Sequence, residues 1–330
     1  ATNKRNGCCL ADGSEAHAQD HKQWSRRNFL FSSGLFAAGS AFMLGKSPLS
    51  AMEASPLLNA IGQNEDGKVL VIINLDGGND GLNMIVPRGN DTYYNLRPTL
   101  GIQESEMFAL DTDYGMPNYM SDLQGLWGDG KMSVIHSVAY PLQNYSHFRS
   151  SDIWNTGSDS NEQLNTGWIG RFLDYEFPAH NSAPANYPVG LQIGVQSSLV
   201  FMGADTNLGL TINNPTEFYQ IAETGQLYNT ANLPDCSYGA ELGFMRSMAN
   251  NTFRYAGAIK ETYNKSSNGT YPDNDLAEQL SIVGRLIKGG LGTKVYLVHL
   301  GGFDTHSDQA ATHPQLLNDI ATSVKAFYDD

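Results

Sequence analysis

A chain of 330 residues with 41% hydrophobic side chains has material for one large α/β domain or two smaller ones, and its formal net charge of −14 argues against nucleic acid as a partner, because phosphate binding needs a basic surface. An anionic substrate on so acidic a protein needs a local positive centre, which a metal ion can supply. Of three cysteines only Cys236 lies in the body of the chain, which excludes an internal disulfide there and a zinc-type cysteine cluster.

Ser25-Arg26-Arg27-Asn28-Phe29-Leu30 is a twin-arginine signature, followed by an apolar stretch from Phe31 to Leu44 rich in Gly, Ala and Ser and by small residues at Ser50, Ala51 and Ala54. Charged, apolar and small-residue regions in that order form a secretory signal rather than an amphipathic helix that happens to open with two arginines. The apolar run is too short for a stable membrane span. The expectation is a protein handled by the twin-arginine export machinery and delivered to the periplasm or the extracellular space. That route carries proteins already folded, often with a cofactor bound. Residues 1–55 are therefore set aside as the signal region and 56–66 as a linker, and the α/β domain is expected over 67–330.

Val69 to Leu75 is a run of β-branched and aliphatic residues without polar alternation, the pattern of a strand covered on both faces of a parallel sheet. Asp76-Gly77-Gly78-Asn79-Asp80-Gly81 follows it, and Asn83 to Arg97 reads as a polar, turn-rich loop. A helix is predicted over Tyr119 to Trp127, a second strand over Met132 to Val138, and helices over Tyr145 to Asn155 and Trp168 to Phe177. Tyr187 to Met202 reads as one or two short strands; 203–235 reads as loop with a short helix from Pro215 to Thr224. Helices then cover Tyr238 to Tyr263 and Asp273 to Lys288. The strand from Lys294 to Leu300 leads into Gly301-Gly302-Phe303-Asp304-Thr305-His306. Strands alternating with helices give an α/β domain with a mainly parallel central sheet flanked by helices. Gln315 to Tyr328 repeats apolar residues at helical spacing up to the last residue, and Ala1 is not a methionine, so the reading is of a fragment incomplete at its C-terminus.

In open α/β sheets ligands bind beyond the carboxyl ends of the strands. Asp76, Asp80, Asp304 and His306 are placed there by the two Gly-Gly loops, and carboxylates with imidazole form a ligand set for a divalent metal, whether Zn, Ca, Mg or Mn. The competing reading is that the acids cap helices. The first loop lacks the G-x-G-x-x-G order of a dinucleotide site. His313, on the following helix, is a weaker ligand candidate, with a surface histidine as the competing reading. Ser146, His147 and Arg149 open the helix after the second strand: the hydroxyl, the imidazole and the guanidinium face an anionic ester at a helix N-terminus, with Arg149 as a bidentate clamp. The alternative for Ser146 is a plain N-cap. No G-x-S-x-G elbow is present, so a serine hydrolase is poorly supported.

Leu75-Asp76-Gly77-Gly78-Asn79-Asp80-Gly81-Leu82-Asn83, Ser146-His147-Phe148 with Asp152, Trp154 and Thr156-Gly157, and Gly302-Phe303-Asp304-Thr305-His306 with Gln309 resemble the bacterial domain of unknown function 1501 family, over about residues 66–330. That family is similar to the alkaline phosphatase and sulfatase superfamily. The resemblance implies an alkaline-phosphatase-like α/β fold with one or two divalent metals. It matches Asp76 to the metal-binding aspartate after the first strand, and Asp304 and His306 to a later ligand loop. It also implies a nucleophile a few residues ahead of His147; Leu142 and Gln143 stand there and cannot serve, which leaves Ser146 as the nearest hydroxyl. The S-E-F-G-R and Asp-His-Gly segments typical of the family do not occur in these 330 residues. Two functions follow: an exported metal-dependent hydrolase of phosphate or sulfate esters, or a non-catalytic exported protein that keeps a partial site and binds a glycan, a partner or a structural cation.

Overall fold

In a computed structural model, residues 68–143, 145–180, 184–194, 197–223, 228–229, 233 and 237–330 are described. The twin-arginine segment, the linker and all three cysteines lie outside them. The chain enters through β1 (Leu70–Leu75), which pairs in parallel with β7 (Val295–Leu300) along its whole length, from Leu70 opposite Val295 to Leu75 opposite Leu300. β5 (Gly190–Ile193) lies in parallel on the other side of β7, and β6 (Gly209–Ile212) lies in parallel beyond it. The sheet order is β1-β7-β5-β6. A small antiparallel sheet of β2 (Val86–Pro87), β4 (Tyr114–Pro117) and β3 (Met107–Ala109) forms within the crossover that follows β1.

The lack of polar alternation in the β1 and β7 sequences is explained by core on both sheet faces. Tyr296, Val298 and Leu300 point into the larger cluster, against Leu276, Leu280, Val283 and Leu286 of α8 (Asp275–Lys288) and Leu317 and Ile320 of α9 (Gln309–Asp329). Val295 and Leu297 point the other way, onto Ile169 and Leu173 of α5 (Trp168–Glu176) and onto Val200 and Phe201. Each aliphatic side chain buried in this way contributes about 1.5–3 kcal/mol, so a one-residue slip of β7 would be costly on both faces. The same alternation sorts β1: Val71 and Ile73 face the larger cluster, Leu70 and Ile72 the smaller one.

The helices start and stop where their local chemistry directs. The Asn274 side chain accepts from Ala277 N at the start of α8, acids occupy its first turn, and Arg285 and Lys288 its last, as the helix dipole favours. α4 (His147–Thr156) starts after Ser146 and ends at Gly157, whose φ of 62° is left-handed. α6 (Pro215–Glu223) and α7 (Ser237–Lys265) follow the prediction closely. The predicted helix over 119–127 is a 3-10 segment, Asn118–Leu123, that runs into α3 (Gln124–Gly128).

Three expectations are corrected. Met132 to Val138 forms no ladder with the described residues, Ser137 within it has a left-handed φ of 58°, and Ile135 and Val138 are exposed; β propensity becomes a strand only where an edge receives it. The second half of 187–202 is a 3-10 turn, Leu199–Phe201, and the strand beside β5 is instead β6, four residues opening with Gly209 in a region read as loop. Gly209 is needed there because a Cβ would meet the Phe201 ring at 2.5 Å. The turn-rich stretch from 83 to 97 contains β2 and α2 (Asp91–Leu96), and its polar residues serve the interior: buried Asn83 accepts from Tyr93 Oη at 2.8 Å and donates to Leu100 O at 2.8 Å.

Candidate metal centre

The two Gly-Gly loops leave adjacent parallel strands and are laced together. Asp76 N donates to Leu300 O at 2.9 Å, and Phe303 N donates to Asp76 O at 3.2 Å. Gly77 has φ of +122°, and a Cβ there would lie 2.5 Å from Asp304 N, so only glycine lets the first loop press against the backbone of the second. A Cβ on Gly78 would stand 3.8 Å from Cε1 of His147, which places the start of α4 at the same edge.

Three side chains from two distant segments meet there. His147 Nε2 lies 3.4 Å from Asp304 Oδ1, and His306 Nε2 lies 2.8 Å from the same oxygen. One ligand atom from each falls within 4.8 Å of the others, so this group can hold a metal ion. Two imidazole nitrogens and one carboxylate oxygen are a donor set that transition metals accept, and the exposure of all three leaves room for solvent or substrate in the remaining positions. His306 is held at φ of 38°, left-handed for a non-glycine residue.

The other predicted residues have partners of their own. Asp80 caps α1 (Gly81–Met84) by accepting from Leu82 N at 3.2 Å, while its other oxygen accepts from Arg97 and Gln309. Burial alone would push this carboxyl up; the hydrogen bonds from Arg97 and Gln309 and the Arg97 charge outweigh burial and hold it below the ordinary carboxylate value. Asp76 is outside the three-residue group: its Oδ2 lies 2.9 Å from His299 Nδ1 and its Oδ1 accepts from Asn74. Ser146 is the N-cap of α4 by position, without a capping bond from its side chain. Arg149 turns one guanidinium nitrogen to the carbonyls of Asp159, Ser160 and Glu162, bracing the loop between α4 and α5. His313, read from sequence as a surface residue, is instead buried: it packs edge-on to Phe303 and lies 2.8 Å from the Asn79 side-chain oxygen. A helix face that packs inward and a loop that needs a donor explain the difference.

His299 is the residue that sequence reasoning missed. Gln192 uses its oxygen to accept from Ser198 N at 3.0 Å, so its amide nitrogen, 3.3 Å from His299 Nε2, is the donor. His299 therefore carries its proton on Nδ1 and donates it to Asp76. The available signal was a lone imidazole in an otherwise apolar strand, opposite Asn74.

Comparison with protein-family models, with curated proteins and with solved structures returned no match. Among the described residues no helix is long and apolar enough to cross a membrane.

Proposed function

We propose that this chain is an exported, metal-dependent hydrolase of phosphate or sulfate esters, related to the alkaline phosphatase and sulfatase superfamily through the family that its three motifs resemble. The observation that carries the reading is the meeting of His147, Asp304 and His306 beyond the carboxyl ends of β1 and β7. A divalent ion held there supplies positive charge that polarises an ester oxygen and acidifies a nearby water. α4 begins at His147, and a helix N-terminus is a favourable seat for an anionic group. Ser146 stands one residue before His147 and supplies a hydroxyl at the start of α4. Asp76, oriented by His299 and Asn74, lines the neighbouring loop.

A second reading, a non-catalytic exported protein with a partial site, is favoured by one observation: Arg149, the expected anion clamp, is occupied with backbone carbonyls. Metal analysis of purified protein followed by assay against aryl phosphates and aryl sulfates separates the two. The hydrolase reading expects stoichiometric metal and turnover, both lost in Asp304→Ala, with turnover alone lost in Ser146→Ala. Metal without turnover selects the second reading, and protein that takes up no metal and shows no turnover sinks the hydrolase.

A further inference from the structure

His299 is held at its backbone and at both ring nitrogens. β5 pairs with β7 only as far as Gln192 opposite Leu297, so the backbone of His299 lies past that ladder. Gln279 of α8 takes the ladder's place: its oxygen accepts from His299 N at 3.0 Å and its nitrogen donates to His299 O at 2.8 Å. On the ring, Asp76 Oδ2 lies 2.9 Å from Nδ1 and Gln192 Nε2 lies 3.3 Å from Nε2. Asn74 Nδ2 stands farther from Nδ1, at 3.4 Å, and donates to Asp76 Oδ1. Gln192 is only 4% exposed and cannot turn its amide over, because its oxygen is taken by Ser198 N. Ser198 Oγ in turn donates at 2.7 Å to Asn155 of α4, the helix that opens with His147. One polar chain, Asn155 to Ser198 to Gln192 to His299 to Asp76, thus links that helix to the first Gly-Gly loop.

We propose that Gln192 and His299 are positioning residues of the metal centre, which fix the Asp76 carboxylate beside the Asp304 loop and leave its open acceptor sites to the ion or to a water bound to it. The inference rests on the metal reading above. A buried amide nitrogen can only donate, so it leaves Nε2 the role of acceptor; the single proton of a neutral imidazole then sits on Nδ1, facing Asp76. Asn74 secures the other carboxylate oxygen. After these two bonds about half of a carboxylate's acceptor sites remain open, and the Asp76 side chain is half-exposed. Its main chain is already tied to the second loop, by Phe303 N donating to Asp76 O and by Gly77 pressed against Asp304 N. Without the donor at Nδ1 the carboxylate turns freely about its side-chain bonds, and the ion no longer meets a fixed group. Hydrogen-bond partners that orient a metal centre in this way are worth about 10- to 100-fold in affinity.

Calorimetric titration of the full chain with Zn²⁺ tests it, in the wild type, His299→Asn, His299→Leu, Gln192→Met and Asp304→Ala. Asparagine carries its amide nitrogen on Cγ, as the imidazole carries Nδ1, whereas leucine has the same shape and no donor. His299→Leu should therefore bind Zn²⁺ about 10- to 100-fold more weakly than His299→Asn, a split that a purely structural role would not produce. Long-range ¹H–¹⁵N spectra should show His299 protonated on Nδ1 in the wild type and no longer confined to that form in Gln192→Met, whose Zn²⁺ affinity falls with it. A wild-type His299 protonated on Nε2 overturns the proposal. So does equal Zn²⁺ binding by the leucine and asparagine variants while Asp304→Ala loses the ion, a result that leaves the metal reading standing. Should His299→Leu not fold, Gln192→Met decides: wild-type affinity with the Nδ1–H form lost overturns the proposal. A wild type that takes up no Zn²⁺ overturns the metal reading and this inference with it.

Discussion

Gly77 shows how one missing Cβ holds the site together. Its φ of +122° and its approach to Asp304 N mean that Gly77→Ala must strain its own backbone and push the second loop away. We expect a loss of about 1–3 kcal/mol in urea unfolding and weaker metal uptake, because Asp304 and His306 ride on the displaced loop. Gly125→Ala, at a helical position with nothing within 4 Å of the added carbon, is the control and should be neutral or stabilising. Asp80 makes the second residue-scale case. Its folded pKa is depressed, so its contribution is fully present above the unfolded value of about 4 and is lost as pH falls through the lower folded value. Asp80→Asn should cost about 1.5–3 kcal/mol at neutral pH, since it weakens hydrogen bonds to a charged group, and should flatten the stability curve below about pH 4.

Between elements, the decisive contacts are backbone to backbone. A Cβ on Gly170 of α5 would stand 2.2 Å from Met202 O, and one on Gly167, the residue before α5, 2.1 Å from Val200 O. Alanine raises helix propensity by about 1 kcal/mol over glycine, yet Gly170→Ala should lower the unfolding midpoint, because the added carbon would collide with the backbone at the end of the 3-10 turn. Gly257→Ala in α7, where the new carbon meets nothing, should raise it. α9 works through side chains: Gln309 reaches Asp80 and His313 reaches Asn79, fastening the first loop from above. Burial, partly offset by Asp80, holds the His313 imidazole below its ordinary value. A base with a depressed folded pKa contributes stability that is present above about pH 6.5 and is lost as pH falls from there toward the folded value. His313→Gln, which can still donate to Asn79, should remove that slope in urea titrations run between neutral and mildly acidic pH.

Across the whole molecule, a metal at His147, Asp304 and His306 would tie the start of α4 to the loop after β7, segments about half the chain apart in sequence. An ion that binds only the folded chain stabilises it by about 2.7 kcal/mol at 100 times its dissociation constant. The thermal midpoint should therefore rise with added Zn²⁺ or Mn²⁺ in the wild type and stay unchanged in His306→Ala. Acid should weaken the effect, because a protonated imidazole cannot ligate.

Much of the architecture is local information. Apolar runs without alternation mark β1 and β7, apolar spacing marks α8 and α9, and glycine marks the end of α4; in each case nearest neighbours along the chain suffice. The two Gly-Gly loops at strand ends are legible for the same reason, and with them Asp304 and His306. What the chain order could not supply was who meets whom. Whether Asp76 turns toward His299, Asp80 toward Arg97, or Arg149 toward carbonyls depends on strands and helices far away in sequence. His147 joins Asp304 and His306 because Gly77 and Gly78 allow three segments to converge, and residues 132–138 show that β propensity without a ladder partner is not yet a strand. Propensity is a property of the segment, whereas coordination and pairing belong to the surface it meets.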